Sequence, residues 1–66
     1  MKAEFTDAEK EIFKGKVLAI ARKYGVSHTY INMIINGDQE LTTQLTLKIY
    51  NGLKETAAFF KPVNQD

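Results

Sequence analysis

The most distinctive hydrogen-bonding side chains of this chain lie in the segment SHTYINMIIN, which contains no Lys, Arg, Asp or Glu. If this segment is a helix that turns Ile31 and Ile34 inward, then His28, Thr29 and Asn32 face outward. A solvated helix face usually carries charged side chains, and this face carries none. Imidazole, hydroxyl and carboxamide groups have the size and the bonding capacity to read base edges in a DNA groove.

Two short helices joined by a tight turn would position these side chains. Gly25 tolerates a positive φ and can end the first helix, and Ser27 can cap the second helix with its hydroxyl. Ala21, four residues before the glycine, is small enough to let another helix approach closely. The apolar residues on each side fall where the two helices would touch: Ile20, Ala21 and Tyr24 before the turn, then Val26, Ile31 and Ile34 after it.

The spacing of Ala21, Gly25, Val26, Ile31 and Ile34 resembles the pattern A-x(3)-G-V-x(4)-I-x(2)-I of the helix-turn-helix in the phage Cro and repressor family. The ending I-N-G is similar to the E-N-G that often closes the recognition helix in that family. The resemblance covers roughly residues 16–53. It implies a small all-α domain of the lambda-repressor type, whose second motif helix enters the DNA major groove.

The resemblance also implies roles for individual residues. Thr29 and Asn32 match positions through which the family reads bases, and Asn36 matches a position that contacts phosphate. His28 lies in the first turn of the same helix. Met33 is a candidate for base contact, although filling a gap in the core is the commoner use of methionine. The predicted base-reading residues are His28, Thr29, Asn32 and Met33, and the predicted phosphate contacts are Lys14, Lys16, Lys23, Ser27 and Asn36.

Two features depart from the family pattern. The family often begins the first motif helix with Thr-Gln, which caps the helix and bonds a phosphate, whereas this chain has Lys16 and Val17. The family often places Lys or Arg just after the glycine that ends the recognition helix, whereas this chain has Asp38 and Glu40 in that loop. The first departure leaves the start of the second helix open, and the second puts one phosphate contact in doubt.

The remaining elements follow from caps and periodicity. Thr6 to Glu9 fits a capping box, so a first helix is expected from Asp7 to Phe13 or Lys14. The second and third helices are expected at about 16–24 and 28–35. Thr42 is the expected cap of one long fourth helix over about 43–60, which we favour over the short fourth and fifth helices of the family. Its inward stripe is expected to be Leu45, Ile49, Leu53, Ala57 and Phe60.

The predicted organisation is a flexible arm at residues 1–5, one DNA-binding domain at residues 6–61 and a flexible tail at residues 62–66. Sixty-six residues allow one small core at most. The chain has no cysteine, no apolar run as long as a membrane span and no signal-peptide h-region, so a cytoplasmic protein is expected.

Charge and composition narrow the functional classes. The formal net charge is only +1, but the residues between Ile12 and Gly37 include Lys14, Lys16 and two further basic residues and no acid. Such a basic middle section favours a polyanionic partner. One histidine, no cysteine and no glycine-rich phosphate loop offer no catalytic set, so neither an enzyme nor a cofactor is expected.

Two hypotheses about function remain open at this point. The first is a sequence-specific transcriptional regulator that binds a palindromic double-stranded DNA operator as a homodimer. Phe59 and Phe60 are adjacent and cannot both enter one core from a single helix, so this pair is the expected dimer contact. The second is a protein-interaction module on the same fold. The near-neutral charge, the acidic loop and the phenylalanine pair favour that alternative.

Overall fold

Four helices make up the described part of the chain. The structure, a computed structural model, describes residues 1–60. The helices are α1 (Asp7–Phe13), α2 (Val17–Tyr24), α3 (His28–Asn36) and α4 (Gln44–Phe59). Residues 1–60 form no strand, only an isolated antiparallel bridge between Lys2 and Glu40. The predicted all-α class and the single long last helix are confirmed, and the predicted tail and the domain end at residue 61 lie outside the described residues.

The core lies where the four helices meet. The inner face of α3 contributes Ile31 and Ile34, which are both fully buried, and α4 contributes Ile49 and Leu53. Phe13 closes the core from the end of α1, with 1% of its surface exposed. The buried apolar residues are Ala3, Phe13, Ala21, Ile31, Ile34, Ile35, Leu41, Ile49, Leu53 and Ala57.

Local side-chain caps start α1 and α4. At α1 the Thr6 hydroxyl accepts a hydrogen bond from the Glu9 amide at 3.1 Å, and the Glu9 carboxylate accepts one from the Thr6 amide at 2.9 Å. This confirms the predicted capping box. At α4 the cap is Thr43 rather than the predicted Thr42, because the Thr43 hydroxyl accepts from the Thr46 amide at 3.1 Å.

The inward stripe of α4 differs from its prediction at both ends. Leu45 is 40% exposed and Phe60 is 50% exposed, whereas Thr46 is almost fully buried. Thr46 can enter the core because its hydroxyl donates to the Thr43 carbonyl oxygen at 2.9 Å, which satisfies its polar group locally. The observed stripe is therefore Thr46, Ile49, Leu53 and Ala57.

Residues 1–5 pack against the domain, in contrast to the flexible arm that the sequence predicted. Ala3 is buried, and the Phe5 ring lies 5.0 Å from the Phe13 ring and 5.6 Å from the Tyr50 ring, centroid to centroid. The Leu41 amide donates to the Met1 carbonyl oxygen at 2.7 Å. An apolar alternation of Ala3 and Phe5 thus covers the open side of the core between α1 and α4.

Glu40 holds the other end of this N-terminal segment. Its carboxylate accepts a hydrogen bond from the terminal amino group of Met1 at 2.9 Å. That hydrogen bond, together with the positive charge of the amino group, holds the pKa of the Glu40 carboxyl below its ordinary value. One of the two acids in the loop after α3 is therefore paired within the domain.

Gly52 lies inside α4 because a side chain from α2 occupies the space beside it. A Cβ atom on Gly52 would overlap the Tyr24 hydroxyl and would lie 3.3 Å from Tyr24 Cζ. Glycine in a helix interior is about 1 kcal/mol less favourable than alanine. The Tyr24 side chain, which reaches Gly52 from α2, leaves no room for a Cβ atom here, and this explains why the helix nevertheless has glycine.

We expect Gly52→Ala to lower the free energy of unfolding by about 1 kcal/mol, although alanine is the better helix former. The added methyl group must displace the Tyr24 ring. In a Tyr24→Phe background, which removes the overlapping hydroxyl, the same substitution should be neutral or stabilising. Urea unfolding of the four proteins in this double-mutant cycle measures the difference. Stabilisation by Gly52→Ala in the parent would show that the Tyr24 ring moves aside at little cost and does not account for the glycine.

Candidate nucleic-acid interface

The junction between α2 and α3 is built by one glycine and one serine. Gly25 has φ 70° and ψ 33°, a left-handed conformation that ends α2. The Val26 amide donates to the Ala21 carbonyl oxygen at 3.0 Å, which satisfies the last turn of α2. The Ser27 hydroxyl then accepts from the Tyr30 amide at 3.1 Å and starts α3. Three residues thus turn the chain between two packed helices, as the sequence predicted.

The two faces of α3 differ sharply in chemistry. Ile31, Ile34 and Ile35 are buried on its inner face. The outer face exposes every residue predicted to read bases, and it also exposes Asn36 at its end: His28, Thr29, Asn32, Met33 and Asn36. This confirms the predicted orientation of the helix. The helix ends one residue later than predicted, at Asn36, and Gly37 closes it with φ 81°.

A shallow cavity of about 320 Å³ lies between α3 and the start of α2. His28 and Asn32 line it from α3, and Val17 and Leu18 line it from α2. Leu18 is 54% exposed, more than Leu45 and Leu47, the other exposed leucines of the described residues. The sequence analysis gave Leu18 no role. The signal that could have identified it is that Leu18 is apolar but lies outside the apolar face that α2 turns toward α3.

Lys14 and Lys16, two of the lysines predicted to meet phosphate, lie next to the start of α2, and each has a weak partner. Lys14 Nζ lies 2.9 Å from the Glu11 carboxylate, in a pair whose side chains are both mostly exposed. Lys16 Nζ lies 4.5 Å from the centre of the Phe60 ring. An exposed ion pair is worth about 0–1 kcal/mol. Such contacts orient a lysine without preventing it from meeting a phosphate.

Lys23 lies at the other end of α2, with Nζ 5.6 Å from the centre of the Tyr24 ring. Ser27 is exposed at the start of α3, and its oxygen already accepts the capping hydrogen bond. A serine hydroxyl has one donor and can accept more than one bond, so Ser27 can cap the helix and still donate to an anion. The N-terminus of a helix also attracts negative charge.

The sequence predicted that one of the two phenylalanines at the end of α4 would be exposed, and in the structure both are, to different extents. Phe59 is 80% exposed and Phe60 is 50% exposed, and their rings meet edge to face at 5.0 Å. Lys16 covers part of the Phe60 ring. Phe59 therefore offers most of the apolar surface at this end of the helix.

In residues 1–60 no three His, Asp or Glu side chains form a group that could hold a metal ion. No helix of this part of the chain combines the length and the apolar character needed to cross a membrane. A second open cavity of about 500 Å³ lies between Tyr24 and the outer face of α4.

Comparisons of the chain with known protein families, with curated proteins and with solved structures gave no match.

Proposed function

We propose that this protein is a sequence-specific DNA-binding transcriptional regulator of the Cro and repressor type. In this proposal α2, the turn at Gly25 and α3 form a helix-turn-helix on a lambda-repressor-like fold. The observation that carries the proposal is the outer face of α3, where an exposed row of uncharged hydrogen-bonding side chains follows directly on a capped helix start. An α-helix of this kind fits the width of the major groove.

The mechanism divides the contacts into two groups. Phosphate contacts from Lys14, Lys16 and Lys23, together with Ser27 and Asn36, hold the domain on the duplex without reading sequence. Base contacts from α3 then read the sequence. Asn32 can bond adenine N6 and N7 in a bidentate manner, and Thr29 can offer its methyl group to thymine. His28 and Met33 extend this face toward its two ends.

The acidic loop after α3 is compatible with this docking. Glu40 is paired with the amino group of Met1, so its negative charge is partly compensated within the domain. Asp38 stays exposed in the loop after α3. We expect Asp38→Asn to raise DNA affinity modestly, because it removes one negative charge from the loop that follows α3, and titration of the operator with both proteins measures the change.

Salt dependence tests the proposal directly. Binding that uses the three lysines should give a slope of about −2.7 in log affinity against log salt, since each neutralised phosphate contributes about −0.9. A half-site complex should then weaken about fortyfold between 50 and 200 mM salt. Selection of bound sequences from a random duplex pool, followed by titration at several salt concentrations, measures both properties. The absence of any enriched sequence would contradict the proposal.

We further propose that the regulator binds a palindromic operator as a homodimer. One recognition helix reads only a few base pairs, and related domains pair to read two half-sites about 34 Å apart. Phe59 supplies the largest exposed apolar side chain of the described residues, and Phe60 lies against it. A symmetric contact would bury this pair twice.

Replacing both Phe59 and Phe60 by Ser should abolish cooperative binding to the palindromic site and leave half-site binding in place. Burial of a Phe contributes about 1.5–3 kcal/mol, which the polar variant loses. Because both side chains are exposed, the variant should fold like the parent. Gel-shift titrations on palindromic and half-site duplexes measure the effect, with Leu47→Ser as a control on the same helix. If the double variant still binds the palindrome cooperatively, the dimer contact is elsewhere.

A protein-interaction module on the same fold is the second candidate. The exposure of Phe59 at 80% and the acid Asp38 beside α3 favour it. Salt separates the two candidates, because an apolar protein interface responds far less to salt than phosphate contacts do.

A further inference from the structure

Leu18 faces the same cavity as two of the proposed base-reading residues. It lies in the first turn of α2, outside the core, and 54% of its surface is exposed. The opposite wall of the cavity is formed by His28 and Asn32 from α3. The cavity thus changes from polar on the α3 side to apolar on the α2 side, and no charged side chain is among its lining residues in the described part of the chain.

The major-groove edge of an A·T pair changes in the same way. It presents the adenine N7 acceptor and the N6 donor on one side, and the thymine O4 acceptor and 5-methyl group on the other. A carboxamide such as that of Asn32 complements the adenine edge, because it has both a donor and an acceptor. An apolar side chain complements the methyl group. A G·C pair lacks this methyl group, so the apolar wall has no partner on it.

We propose that Leu18 is a specificity-determining residue that packs on the 5-methyl group of a thymine whose paired adenine is bonded by Asn32. This rests on the proposed function and assigns a role to α2 beyond holding phosphates. The contact joins α2 and α3 in the reading of one base pair. His28 lines the same cavity.

The first test removes the 5-methyl group of thymine and leaves the Leu18 side chain in place. Each thymine of the selected operator is replaced in turn by deoxyuridine, which keeps every hydrogen bond of the pair and lacks only the methyl group. For the parent, one position in each half-site should lose about fourfold in affinity, the change expected for one buried methyl group. Replacing the paired adenine by 7-deazaadenine should weaken binding at the same base pair, because it removes the N7 acceptor.

Protein variants assign the methyl contact to its residue. Leu18→Ala should bind the thymine and deoxyuridine operators equally, whereas Leu45→Ala should retain the fourfold difference. Leu45 is a suitable control because it is 40% exposed, lies on α4 and does not line this cavity. Circular dichroism melts check that both variants fold, and the deoxyuridine series on the parent needs no variant at all.

The outcomes separate this inference from the function on which it rests. If the parent selects a sequence but tolerates deoxyuridine at every position, or if Leu18→Ala still distinguishes the two bases, the assignment of Leu18 is overturned and DNA recognition by α3 stands. If the parent selects no sequence, both proposals fail together. If binding of the parent depends on one thymine methyl group, and this dependence is lost in Leu18→Ala but kept in Leu45→Ala, the assignment is supported.

Discussion

Ala21→Leu is expected to unfold the domain or to destabilise it severely. Ala21 is 3% exposed and lies one turn before Gly25, where α2 packs on α3. Overpacking a buried site costs about 1–3 kcal/mol. A domain of this size has a total stability of about 3–10 kcal/mol, so the loss is a large share of it. Thermal melts should show a melting temperature lower by about 5–20 °C.

Ala19→Leu is the matched control for this substitution. Ala19 is on the same helix, two residues earlier, and is exposed. The two variants share the same change in side chain and in helix propensity and differ only in burial. The free energy of unfolding of Ala19→Leu should lie within about 0.5 kcal/mol of the parent value, as is usual for surface substitutions. Equal melting of Ala21→Leu and the parent would mean that the two helices do not meet at this alanine.

Asn32→Ala should lower the affinity for the best operator by about 1–3 kcal/mol and should relax specificity at one base pair in each half-site. Asn32 is exposed on α3 and lines the cavity that Leu18 faces, so its loss removes a base contact without opening the core. The measurement is a set of affinities for the operator and for every single base-pair variant of it.

Asn51→Ala controls for the loss of an exposed carboxamide. Asn51 is exposed on α4, beside the second cavity and away from the proposed base-reading face. It should leave both affinity and specificity unchanged. If Asn32→Ala weakens binding equally on all sequences, Asn32 holds the backbone and does not read a base. Because Asn32 is uncharged and neutralises no phosphate, the salt slope should stay unchanged in either case.

The starts of α1 and α3 and the turn were predictable from the sequence because they depend on neighbours in the chain. Thr6 bonds Glu9 three residues later, and Ser27 bonds the Tyr30 amide at the same spacing. Gly25 needed only its freedom to adopt a positive φ. The outward face of α3 also followed from helical periodicity. These features predict where side chains point, while their contact with DNA stays a prediction.

The tertiary structure decided the features that depend on residues far apart in the chain. Periodicity could not choose between Leu45 and Thr46 as the first inward residue of α4, because the face that turns inward depends on how α4 packs on α1 and α3. The packing of residues 1–5 depends on Phe5 meeting Phe13 and Tyr50 across three elements.

Gly52 and Leu18 show most clearly that some contacts between different helices could not be predicted from the sequence. From the sequence alone, Gly52 predicts only a lower helix propensity within α4. The reason for this glycine is the Tyr24 side chain of α2, which occupies the space beside it. Leu18 had no evident partner in α2, and only the approach of α3 brought it to one cavity with Asn32. The sequence by itself determined the four helices, the caps of α1 and α3 and the exposed face of α3, since these follow from interactions a few residues apart. The tertiary structure decided which side chains share a surface, because that depends on how the helices pack.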